Sequence, residues 1–106
     1  MMVNMPMNRP PTHPGEILLE EFLNPLGLTQ RDLANALQVP YQRINDIVNG
    51  RRGITADTAM RLAKFFNTTP EYWMKFQWRL DRWNAAKKNA SVIDSIPVYN
   101  DHKGAV

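Results

Sequence analysis

Cysteine is absent from the 106-residue chain, which excludes both a disulfide framework and a cysteine-based zinc site. Histidine is scarce: only His13 and His102 occur. No Ser-His-Asp set, metal-ligand spacing or cofactor motif accompanies them, so neither an enzyme nor a metal or cofactor carrier is expected. Long apolar runs are missing too, none approaching the roughly 20 residues that a membrane-spanning helix needs. Met1–Pro11 lacks the apolar core and small-residue cleavage site of a signal peptide, and a cytoplasmic protein without membrane contact is the expectation. What is present is ordinary for one small globular domain: 43% of the residues are hydrophobic, too many for a wholly disordered chain.

The formal net charge of +3 is unevenly spread. Residues 1–29 hold Arg9 against Glu16, Glu20 and Glu21, a net of −2. Residues 30–53 hold Arg31, Arg43, Arg51 and Arg52 against Asp32 and Asp46, a net of +2. Residues 54–88 carry seven basic side chains against Asp57, Glu71 and Asp81, a net of +4. Such a division invites two partners of opposite sign, but an imbalance this small is more often just a solvated surface.

Hydrophobic spacing and capping residues divide the chain into a loose arm (1–12), a helical domain (13–88) and a partly extended tail (89–106). A first helix opens at His13-Pro14-Gly15-Glu16, turns Ile17, Leu18, Phe22 and Leu26 inward, and closes at Pro25 and Gly27. Thr29 caps a second helix with Leu33, Ala34 and Leu37 inside, broken by Gln38-Val39-Pro40. A third covers about Tyr41–Asn49, facing Ile44, Ile47 and Val48 inward, with Gly50 as its stop. Thr55 caps a fourth, whose inner stripe is Ala59, Leu62, Ala63 and Phe66. Asn67-Thr68-Thr69-Pro70 ends it and starts a fifth, about Pro70–Lys88. The Ile96–Tyr99 run is a candidate short strand. The expected class is therefore all-α, a compact five-helix bundle.

Two very short helices separated by a three-residue break form a helix-turn-helix layout. Ala34 stands where the two would cross, and Leu33, Leu37, Val39, Ile44 and Ile47 fill the wedge that locks their angle. Such a rigid angle lets the second helix enter a major groove while the first crosses the backbone. With Ile44, Ile47 and Val48 inside, Tyr41, Gln42, Asn45, Asp46 and Asn49 face outward. Gln42 is the leading candidate for base reading and Asn45 the next, since both amides can bond adenine N6 and N7. Tyr41 suits a thymine methyl or a phosphate. Asp46 suits cytosine N4 or the orientation of a neighbouring arginine.

These residues resemble the compact helix-turn-helix repressors of the phage and xenobiotic-response-element type. A closer resemblance is to HigA-type antitoxins, through His13-Pro14-Gly15-Glu16-Ile17-Leu18, Leu28-Thr29-Gln30, Asn49-Gly50-Arg51-Arg52-Gly53-Ile54, Ala59-Met60-Arg61-Leu62-Ala63-Lys64 and Thr69-Pro70-Glu71-Tyr72-Trp73. It spans about residues 12–83. Two positions depart from the repressor pattern: Gln38 stands where a left-handed glycine is usual, a cost of roughly 1 kcal/mol. Pro40 replaces the usual Ser or Thr cap of the recognition helix. The resemblance implies phosphate contacts for Gln30 and Asn49, and Arg43, Arg51 and Arg52 fit the same role.

It also implies an antitoxin that represses its own operon at operator DNA and binds a HigB-type toxin, a small basic ribonuclease. A stand-alone repressor without a toxin would share nearly every sequence feature. Glu16, Glu20 and Glu21 could meet a basic partner, or merely solubilise the first helix. Helix-turn-helix proteins usually bind palindromes as dimers, so a homodimer is expected. On the fifth helix Trp73, Phe76, Leu80 and Trp83 form one apolar stripe, with Trp73 read as core. Trp78 and Trp83 exceed what so small a core can cover and are candidate dimer contacts. Ile96, Val98 and Tyr99 could add a strand-edge contact.

Overall fold

The first helix starts at His13, whose extended backbone (φ −66°, ψ 140°) and imidazole cap it. In the computed structural model the described residues are 9–100. Most of the expected arm (1–8), the end of the tail (101–106) and His102 lie outside them.

The first helix, α1, covers residues 14–26 in three continuous segments: Pro14–Ile17, a π-helical stretch Leu18–Leu23, and Asn24–Leu26. In the wide segment the Asn24 N–H reaches back five residues to the Leu19 carbonyl. Pro25 explains the widening, since it supplies no donor and its ring displaces the carbonyl four residues back. The expected inward stripe changes accordingly. Leu18 and Leu23 are fully buried, Ile17 and Phe22 are half-buried, and Leu26 is turned out to 60% exposure. Gly27 closes the helix at φ 68°, a left-handed angle that only glycine adopts at no steric cost.

Helices α2 (Gln30–Leu37), α3 (Tyr41–Val48), α4 (Ala56–Phe66) and α5 (Pro70–Asp94) follow. Thr29, Thr55 and Thr69 each accept a backbone N–H from their own first turns, and Thr29 and Asp32 complete a reciprocal capping box. Gln38 and Asn67 terminate α2 and α4 in left-handed geometry. Pro40 starts α3 without a capping oxygen.

The core unites Leu18, Leu23, Leu33, Ala34, Leu37, Ile44, Ile47, Ile54, Ala59, Leu62, Ala63 and Trp73. Trp73 is wholly buried, packs its ring 4.8 Å from Phe22, and donates its indole N–H to Thr68 Oγ1 at 2.8 Å. Helix α5 runs beyond its expected end at Lys88 to Asp94, and Asn89 breaks its regular geometry (φ −123°, ψ 19°). No strand occurs among the described residues. Residues 89–94, expected in the tail, are helical, and the Ile96–Tyr99 run is exposed and unpaired. A lone four-residue segment with no edge to pair against has no reason to become a strand.

Candidate nucleic-acid interface

Helices α2 and α3 are joined by the turn Gln38-Val39-Pro40. Arg61, on α4, donates to the Leu37 carbonyl at 2.7 Å, satisfying an end of α2 that the sequence leaves open. Ile44 and Ile47 are fully buried, so α3 turns its opposite face to solvent.

On that face the polar side chains form one connected network. Asn45 Nδ2 donates to Gln30 Oε1 at 3.0 Å and to the Tyr41 hydroxyl at 3.2 Å. Asn45 Oδ1 accepts from Arg51 Nη2 at 2.9 Å. Asp46 Oδ1 accepts from Gln42 Nε2 at 2.8 Å and from Arg51 Nε at 3.3 Å. The Arg31 guanidinium lies 4.5 Å above the Tyr41 ring. Arg51 arrives there because Gly50 takes φ 76° and folds the chain back, so that the Arg51 N–H bonds the Asp46 carbonyl at 2.8 Å.

Gln30, Tyr41, Gln42, Asn45, Asp46 and Arg51 are thus gathered on one surface. Asn49 stands at its lower edge, donating to the Asn45 backbone carbonyl at 2.8 Å. Arg52 is exposed, and its side chain forms no hydrogen bond or ion pair among the described residues. Arg43 is drawn elsewhere: its guanidinium pairs with Asp57 at 3.0 Å. A hydrogen bond from Arg61 at 2.9 Å, joined by that Arg43 contact, holds the Asp57 carboxyl below its usual range. Arg31 was not among the expected contacts. Its position beside Gln30 in the first turn of α2 is the signal that could have placed it.

The other expected surfaces are separate. Glu16, Glu20 and Glu21 are all exposed on α1. On α5, Trp78 is 63% exposed, whereas Trp83 is half-buried with the Lys87 ammonium 5.1 Å from its ring centre. No group of three or more His, Asp or Glu that could hold a metal ion occurs among the described residues. None of their helices is long and apolar enough to cross a membrane.

A family of helix-turn-helix domains matches residues 19–73. Virulence-associated protein I of Dichelobacter nodosus is 46% identical over 92 residues, 87% of this chain and 85% of that one. The structure of a HigA-family addiction module antidote protein from Coxiella burnetii superposes with a TM-score of 0.79 at 46% identity, covering 86% of this chain and 100% of that one. Pseudomonas aeruginosa antitoxin HigA, solved with the higBA promoter, gives 0.78 at 41% identity, covering 82% and 96%.

Proposed function

The chain belongs to the helix-turn-helix family, in its HigA-type antitoxin branch, and from that membership we propose that it represses its own operon and neutralises a HigB-type toxin by direct binding. One observation carries the DNA-binding half: α3 presents Tyr41, Gln42, Asn45 and Asp46 on one outward face, tied to Gln30 on the helix before it. That arrangement positions a recognition helix and its backbone-crossing partner as one rigid unit. Gln42 retains a full reading edge. Its amide has two N–H groups, and donation of one to Asp46 leaves the other, with Oε1, for adenine N7 and N6. Arg52, Gln30 and Asn49 border this face, where phosphate contacts fix register.

The toxin half draws on the exposed acidic side chains Glu16, Glu20 and Glu21, which suit a basic partner. Neither half requires a catalytic step, and both suit a protein working in the cytoplasm, beside the genome and its messenger RNA.

Titration of a duplex from immediately upstream of its own gene, against a scrambled duplex, tests the first half. The wild-type chain should prefer the upstream duplex, and Gln42→Ala should lose about 1–3 kcal/mol on that duplex alone. Equal weakening on both duplexes would mean that α3 does not sit in the groove as described. Co-expression with the neighbouring gene for a small basic protein tests the second half. Growth should be rescued and a complex should co-purify, even when DNA binding is abolished. Repression without a complex would leave a stand-alone repressor.

A further inference from the structure

Arg43 within the recognition helix and Arg51 and Arg52 just after it are held differently. Arg43 is engaged by Asp57. Arg52 stands free in solvent, forming no side-chain bond among the described residues. Arg51 alone is folded onto the outward face of α3, its Nη2 within 2.9 Å of Asn45 Oδ1 and 3.2 Å of Asp46 Oδ1. Resting on the DNA-binding reading above, we propose that Arg51 is a specificity-determining residue that reads a guanine in each operator half-site, aimed by Asp46 and Asn45.

Charge favours a base over a phosphate. Asp46 lies against the guanidinium, and its carboxylate would repel a phosphate brought to the same place. A guanine edge is neutral and offers two acceptors, O6 and N7, matched to paired guanidinium donors. Asp46 occupies the Nε side of Arg51, while Nη1 forms no bond among the described residues. Exchange of the Asn45 contact for guanine would complete a two-donor edge without disturbing the Asp46 contact.

Asn45 consequently has another role. Both of its amide hydrogens are taken, by Gln30 and Tyr41, and its oxygen accepts from Arg51. No bidentate edge is left for adenine, so Asn45 is a positioning residue that sets Gln30, Tyr41 and Arg51 relative to one another. Base reading then falls to Gln42 and Arg51, both steered by Asp46.

Selection from a random duplex library, using the full-length wild-type chain and Arg51→Ala, tests this assignment. Wild type should enrich a palindrome with a fixed guanine in each half-site, and Arg51→Ala should leave that position degenerate. Replacing that guanine by 7-deazaguanine, which lacks N7, should weaken wild-type binding on the order of 10-fold or more and leave Arg51→Ala unaffected. Circular dichroism melting of the variant, expected unchanged at so exposed a site, separates lost reading from lost fold. An unchanged consensus for Arg51→Ala, with equal weakening on selected and scrambled duplexes, would overturn the proposal and return Arg51 to the phosphates. Failure of wild type to enrich any sequence would instead overturn the DNA-binding reading itself.

Discussion

At the scale of single residues, the opening His13-Pro14-Gly15 does three different things. The His13 imidazole Nδ1 accepts the Gly15 N–H at 2.8 Å. Pro14 supplies the helical φ of the first position and needs no donor partner. Gly15 lets α1 lie against α3, because a Cβ there would overlap the Ile47 carbonyl oxygen. The sequence announces a helix start at this point, but not the close approach, which depends on a helix more than 30 residues away in the chain. His13 also makes the fold sensitive to pH. Burial lowers its pKa from the ordinary 6.5, against smaller opposing effects of Asp81 and Glu16, and its acceptor role requires neutral Nδ1. The unfolded chain therefore binds this proton more readily than the folded one. Stability rises with pH between the two pKa values, and this contribution is present above about pH 6.5 and lost as pH falls. Urea unfolding at about pH 5 and about pH 7.5 should show a loss of stability on acidification that His13→Asn, which keeps a cap but does not titrate, reduces. Parallel slopes for the two proteins would remove His13 from the account. Asp57 does not confuse the reading, since its lowered pKa places its effect below 3.8.

At the scale of elements, caps and spacing made the five helices legible: Thr29, Thr55 and Thr69 start where side-chain chemistry says they should, and Gln38 ends α2 in the strained conformation expected of it. The inner face of α1 was misread because the 3.6-residue period fails across a π-helical segment. The far end of α5 was misread because Asn89 interrupts the helix without ending it. The candidate site was legible as a set of outward residues on α3, a consequence of helical spacing alone. The place of Arg51 was not, because it depends on the backward fold at Gly50 and on partners five and six residues earlier. Gln77 was missed for a related reason. A polar residue on a charged helix reads as exposed, yet it is nearly buried, accepting the Ile54 N–H at 2.7 Å and donating to Asp81 at 2.9 Å. Through it α5 braces the loop that carries Arg51 and Arg52. Gln77→Ala would leave the buried Ile54 N–H without a partner, and chemical denaturation should show a loss of about 1–3 kcal/mol. A neutral result would mean that water or a shifted backbone replaces the bond.

At the scale of the whole molecule, the described residues form an elongated body, 57 × 32 × 26 Å, because α5 continues well past the core that covers its first turns. The solvent side of α5 leaves Trp78 at 63% exposure and Val92 and Ile93 at 50% or more, and Ile96 just past its end is 62% exposed. A single tryptophan can bury about 150–250 Å², and a stable interface takes about 800 Å² from each partner. Trp78 together with the apolar residues near the end of α5 supplies the apolar centre such a surface needs, and exposed tryptophan in water is otherwise unfavourable. Self-association also suits the DNA reading, since one recognition helix makes few base contacts and two related by a dyad match a palindrome. Trp83 contributes less than its size suggests, being half-buried within its own chain beside Lys87. Light scattering at tens of micromolar should accordingly give a dimer for the full chain and a monomer for Trp78→Glu, which places a charge at the centre of the contact. Truncation after Ser95 isolates the contribution of Ile96, Val98 and Tyr99. A truncated chain that remains dimeric assigns the contact to α5, one that becomes monomeric assigns it to the tail, and a monomeric full chain ends the idea. The melting temperature provides an independent check, because a dimer that unfolds to monomers melts higher as concentration rises, and Trp78→Glu should abolish that dependence.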